Sequence, residues 1–164
     1  MSSALRIIPD QVDCVDVELK TYLVWRYVKE DHRENDNAVS AVCFCLTERD
    51  GGHVSFSHSN KDNVNEMVAE IHRNKKVKKK TKPALYLSID IKEAYEEINN
   101  PDELITFKGC GYPHIGMYYH DYSDVAKRNL IIASLVELSD LYFRAEGGGV
   151  SKVEWDKINI CGTL

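Results

Sequence analysis

The chain has 164 residues, 43% hydrophobic and 29% charged, with 21 Lys and Arg against 26 Asp and Glu and a formal net charge of −5. A chain of this length makes one ordinary domain that buries roughly 70% of its unfolded surface, so it needs no disulfide or metal to fold. It has no run of about 18 apolar residues, a charge fraction near the soluble average of about 25%, and no signal-like stretch over Met1 to Asp10, which predicts one cytoplasmic domain over residues 1–164 with no membrane span.

Residues 17–29 (VELKTYLVWRYVK) are rich in β-branched and aromatic types. A helical stripe through 15, 19, 22 and 26 would carry Arg26 into the core, so a strand is predicted, with a long helix as the alternative. The polar run 30–37 is a loop, and 38–47 (AVSAVCFCLT) reads as a second, buried strand in which Cys43 and Cys45 share a face. Asp50-Gly51-Gly52 supplies a hairpin turn, and His53 to His58 alternates Val54 and Phe56 against polar residues. These three strands are expected to form an antiparallel meander.

A helix is predicted to open after Asn63, with Glu66 at the capping-box position and Val64, Met67, Val68 and Ile71 on one face; Pro83 prevents its continuation. Residues 84–91 (ALYLSIDI) read as a half-buried strand, 92–98 as a short helix stopped by Asn99-Asn100-Pro101, and 104–107 and 115–119 as short strands flanking GCGYPHIG. From Ser123 to Glu146, Ile131, Leu135, Leu138 and Tyr142 recur at helical spacing, capped by Ser123 or Asp124 and ended by three glycines. At about 1.5 Å per residue this helix would reach roughly 35 Å. A last strand is expected at 152–160. The predicted class is α+β: an antiparallel sheet of about five to six strands packed against a long C-terminal helix and a shorter one.

The net charge conceals an asymmetry. Arg73, Lys75, Lys76, Lys78, Lys79, Lys80 and Lys82 form a strip without an acid, leaving 14 bases and 26 acids elsewhere, a net of −12. Clustered lysines suit a polyanion, because each neutralised phosphate releases counterions. They equally suit a solvated helix end, and no aromatic residue interleaves them for base stacking. The five cysteines (Cys14, Cys43, Cys45, Cys110, Cys161) match no secreted disulfide framework, and reduced thiols are the simpler expectation.

Catalytic patterns are sparse. Cys43-x-Cys45, Cys110-x₃-His114, His53-x₄-His58 and His114-x₅-His120 do not assemble two halves of a zinc site. Cys110, between Gly109 and Gly111, is the candidate nucleophile, with His114 or His120 as base and Asp121 or Asp124 to orient it; turn chemistry explains the same residues without catalysis. Gly109, Gly111 and Gly116 depart from G-x-G-x-x-G and lack a P-loop Lys-Ser/Thr. The H-x-E and P-C-x-x-C pattern of zinc deaminases is missing too. No metal and no cofactor are expected.

Recognition is better supported. Tyr118, Tyr119, His120, Asp121 and Tyr122 concentrate ring area and polar handles in five residues, and Glu48 and Asp50 stand in an acidic turn. Acidic surfaces favour fast, selective capture of basic partners. The segments Ile105-Thr106-Phe107, Gly111-Tyr112-Pro113-His114-Ile115-Gly116-Met117 and Val153-Glu154-Trp155-Asp156, with a helix between the last two, resemble bacterial immunity proteins paired with deaminase-type polymorphic toxins. The resemblance covers about a third of the chain. It implies a small α+β cytoplasmic inhibitor without catalysis of its own. The expectation is a non-catalytic protein that binds a partner such as a toxin through Tyr118–Tyr122, Glu48 and Asp50. The alternatives are a small enzyme using Cys110 with His114 or His120, or nucleic-acid binding through residues 73–82.

Overall fold

The computed structural model describes residues 15–16, 23–29, 33–35, 38–46, 53–74, 83–109, 113–154 and 156–158. The predicted hairpin turn at 48–52, with Glu48 and Asp50, lies outside these residues, as do Lys75 to Lys82, Cys110 and Trp155.

The fold is α+β. Its main sheet is antiparallel and eight-stranded, built from β1 (Val15–Asp16), β2 (Leu23–Tyr27), β5 (His53–Ser57), β6 (Ala84–Asp90), β7 (Ile105–Gly109), β8 (His114–Tyr119), β9 (Asp140–Arg144) and β10 (Val150–Val153). Their spatial order is β1-β7-β8-β5-β2-β6-β9-β10. The short strands β3 (Arg33–Asn35), β4 (Ala38–Ser40) and β11 (Asp156–Ile158) form a separate sheet, in which β11 runs parallel to β4.

Among the described residues, three helices cover the main sheet: α1 (Val64–Asn74) on one face, α2 (Ile91–Ile98) and α3 (Val125–Leu138) on the other. The larger core lies beneath α2 and α3, where Val54, Phe56, Leu85, Leu87, Ile89, Phe107 and Met117 meet Ile131, Ile132 and Leu135. On the opposite face Trp25, Ala84 and Tyr86 pack under Val68 and Ile71 of α1. Covered from both sides, β6 is buried at every position but Asp90, and the expectation of a half-buried strand fails for that reason.

Local chemistry sets the helix ends. Asn63 Oδ1 accepts from the Glu66 N–H at 2.9 Å, Asp90 accepts from the Lys92 and Glu93 N–H groups, and Asp124 accepts from Lys127 N–H. Asn99 then turns the chain after α2: its Oδ1 accepts from the N–H groups of Leu104 and Ile105, and its Nδ2 donates to the Ile105 carbonyl.

Three expectations are corrected. The C-terminal helix stops at Leu138, where Ser139 Oγ donates to the Val136 carbonyl, and residues 140–144 become β9, paired along β6. The meander does not form, because 38–40 pairs in the second sheet and Ala41–Phe44 turns into a 3₁₀ helix; β2 sits between β5 and β6 instead. Cys45 is disulfide-bonded to a partner outside the described residues, whereas Cys43 is a buried free thiol. Arg26 is buried even though 23–27 is a strand. Its Nε donates to the Cys43 carbonyl at 2.7 Å and its Nη1 to the Ser55 carbonyl at 2.8 Å, so backbone oxygens meet the guanidinium. No described helix is long and apolar enough to cross a membrane.

Candidate functional site

Alternation along β8 decides the fate of the Tyr-rich segment. Tyr119 points into the larger core, where its Oη donates to the Phe44 carbonyl at 2.7 Å, and burial pushes its hydroxyl pKa well above the ordinary tyrosine value. Tyr122 stacks edge-on against Tyr119, accepts from the Leu46 N–H at 3.0 Å, and lies under the Arg128 guanidinium at 5.0 Å. These two rings fasten residues 44–46 to the end of the sheet and the start of α3.

Tyr118 projects from the opposite face and is only 2% exposed. Its ring lies 5.2 Å from that of His53, which stands 5.3 Å from the ring of His114, and Lys108 Nζ is 5.7 Å from the Tyr118 ring centre. Ser55 Oγ is 3.2 Å from His53 Nε2. Gly116 lies beneath this group, and a Cβ there would come within 2.8 Å of His53 Cδ2. The rings form a packed polar cluster, so Tyr118 and Tyr119 cannot offer surface to a partner as expected. Of the other predicted contact residues, His120 and Asp121 are exposed, Tyr122 is half-buried, and Glu48 and Asp50 lie outside the described residues.

His114 and His120 are six residues apart along β8 and its end, roughly 20 Å, so only one of them can stand beside a given thiol, and Cys110 lies outside the described residues. His120 Nε2 is 2.6 Å from Thr106 Oγ1, Asp121 accepts from Ser123 Oγ, and Asp124 caps α3. Neither carboxylate therefore orients an imidazole. Cys43, the buried free thiol, is pushed up to about 12 by desolvation and is no nucleophile. Among the described residues, no three His, Cys, Asp or Glu side chains converge on a metal position. Of the basic strip only Arg73 is described, exposed in the last turn of α1.

A different surface gathers features suited to binding. Residues 91–104 carry Glu93, Glu96, Glu97, Asp102 and Glu103 against Lys92, all exposed. The His120 N–H donates to the Leu104 carbonyl at 3.0 Å, which brings Asp121 to the same rim. Beside α2, α3 presents Leu130 and Val125, 59% and 51% exposed, the two large hydrophobics that stand open among the described residues. Sequence patterning missed this site, because attention to the 131–135–138 stripe assigned α3 a single apolar side. The available signal was apolar residues off that stripe: Val125, Ala126, Leu130 and Ala133.

Comparison with known proteins finds no matching family model, curated protein or solved structure.

Proposed function

We propose that this chain is a non-catalytic binding protein that captures a basic protein partner on the α2–α3 layer and acts as an inhibitor in the manner of an immunity protein. The observation that carries the reading is that, on the layer where α2 packs against α3, Leu130 and Val125 are exposed and residues 91–104 hold five exposed carboxylates. Apolar area supplies affinity, while the surrounding negative potential speeds encounter with a basic surface and rejects acidic ones. The likeness of segments 105–107, 111–117 and 153–156 to toxin-neutralising immunity proteins supports the same direction.

The test is to co-express the chain with the products of the genes flanking its own and measure binding calorimetrically at low and high salt. The expected result is a 1:1 complex that weakens as salt rises. Absence of any complex, or catalytic turnover by the chain alone, overturns the reading. The proposal also locates the protein in a cytoplasm. Cell fractionation tests this, and alkylation before mass spectrometry follows the Cys45 disulfide, a bond uncommon in reducing compartments.

A further inference from the structure

Cys45 is held in place by its neighbours in the chain. The Phe44 carbonyl accepts from Tyr119 Oη at 2.7 Å and the Leu46 N–H donates to Tyr122 Oη at 3.0 Å, so Cys45 sits at the Tyr119 end of β8. It is buried, and its sulfur is in a disulfide. Cys14, Cys110 and Cys161 lie outside the described residues, yet the chain ties each of them to a described strand.

Chain reach separates these three. Cys14 adjoins Val15 and Cys110 adjoins Gly109, and Val15 and Gly109 face each other across β1 and β7. Gly109 is registered on Ile115 of β8, four residues and roughly 13 Å from Tyr119. A disulfide needs Cα atoms about 4.4–6.8 Å apart, so both of these cysteines start from the wrong end of β8. Cys161 starts close to Cys45. It follows Ile158 by three residues and Cys45 follows Ser40 by five. Ile158 is registered on Ser40 in a parallel pair, so the two chains leave that pair in the same direction. Four of the five residues, Ala41–Phe44, wind as a 3₁₀ helix rising about 2 Å each, for a total advance of roughly 11 Å. Three extended residues span roughly 10 Å. Helix α3 lies against both the 3₁₀ helix and β11, which puts them on one flank of the domain.

We infer that Cys45 and Cys161 form a redox latch: their disulfide fastens the C-terminal segment to the 3₁₀ helix, and reduction leaves β11 held by β4 and α3 alone. Closing the latch joins the two sulfurs and removes two protons and two electrons. A small disulfide such as oxidised glutathione takes these up as it becomes two thiols. Cys43, two residues away, does not compete for the bond, because burial keeps its thiol protonated. The latch is closed in an oxidising compartment and open where glutathione is reduced. The ring it closes runs from β5 to β11 and so constrains most of the domain. Neither cysteine is among the proposed partner contacts, so latch and binding are tested separately.

The full chain is incubated with oxidised or reduced glutathione, quenched with a maleimide and digested with trypsin and chymotrypsin for mass spectrometry. Cleavage after Phe44 separates Cys43 from Cys45. The expected result is a peptide pair joining Cys45 to Cys161 in the oxidised sample and absent from the reduced one. Cys161→Ser should lower the Tm of the oxidised protein by on the order of 10 °C and leave that of the reduced protein unchanged. Amide exchange at 156–158 should rise on reduction while that of β6 holds.

Cys45 joined to Cys14 or Cys110, cross-linked between two molecules, or alkylated in the oxidised sample overturns the latch. So does an oxidised Cys161→Ser protein as stable as oxidised wild type, or exchange at 156–158 that ignores reduction. The peptide map uses the wild-type chain and decides even if Cys161→Ser does not fold.

Discussion

Substituting Gly116 by Ala tests how tightly the polar cluster on β8 is packed. Gly116 is registered between Lys108 of β7 and Ser55 of β5, and its backbone lies outside the left-handed region, so a side chain there is opposed by neighbours alone. The added Cβ would lie 2.8 Å from His53 Cδ2, 3.2 Å from His53 Cγ and 3.2 Å from Tyr118 Cε1. Carbon atoms at rest sit about 3.5–4.0 Å apart, so the imidazole has to retreat by roughly 0.7 Å. His53 is 7% exposed and is held between the rings of His114 and Tyr118. Overpacking of this kind costs about 1–3 kcal/mol, offset by about 0.5–1 kcal/mol from the stiffer unfolded chain. The expected net loss is about 1–2 kcal/mol, read in urea titrations, with a fall in Tm of about 2–8 °C. Repeating Gly116→Ala in a His53→Ala background should recover about 1 kcal/mol of that loss, because the clashing ring has gone. A Gly116→Ala protein as stable as wild type, or a loss unchanged by removing His53, would refute the packing described here.

Arg26→Met leaves the carbonyls of Cys43 and Ser55 without their buried donor and should cost about 3 kcal/mol; Arg26→Lys should recover only part of this, since an ammonium lacks the guanidinium fork, and equal urea midpoints for Lys and wild type would contradict it. Tyr118→Phe should change stability by less than about 0.5 kcal/mol, because the Tyr118 hydroxyl is buried without a hydrogen-bond partner among the described residues; a loss above about 1 kcal/mol in the same titration would reveal a partner. Cys43 should resist alkylation in the folded protein at pH 8 and react once urea exposes it. Its folded pKa, pushed up to about 12 from 9.0, exceeds the unfolded value, so between the two the native state binds more protons. Stability is therefore intact below pH 9 and declines as pH rises toward 12, with Tyr119 acting in the same direction; melts across that range should show a fall that Cys43→Ala makes shallower.

The elements governed by local rules were legible before the structure. Asn63 and Glu66 marked the start of α1, alternation marked β5 and β6, the flanks of the glycine-rich GCGYPHIG segment marked β7 and β8, and Asn99-Asn100-Pro101 marked the end of α2. What sequence patterning missed depended on partners distant in the chain. Leu138 and Tyr142 satisfy a helical period, yet Leu141 and Tyr142 also alternate. Pairing along β6, with Leu141 in one core and Tyr142 against Trp25 across the other face, settles 140–144 as a strand. Residues 38–46 have strand composition throughout, but the Cys43 carbonyl is taken by Arg26 and the Phe44 carbonyl by Tyr119, which stabilise a 3₁₀ turn instead of a ladder. At the candidate site, the Tyr-rich run was visible as composition. Whether each ring faced core or solvent depended on β8 register against β5 and β7, which no local pattern specifies.

The strand order has a consequence for synthesis. The three central strands, β2, β5 and β6, are complete by residue 90, and later strands are added outward on both sides. Their larger apolar face, however, waits for α3 at residues 125–138. At ribosomal speeds of about 5–20 residues per second, that face is covered by α2 alone for roughly 2–10 s in every new molecule. This interval exposes the nascent chain to aggregation and to chaperone capture, and it ends when α3 docks.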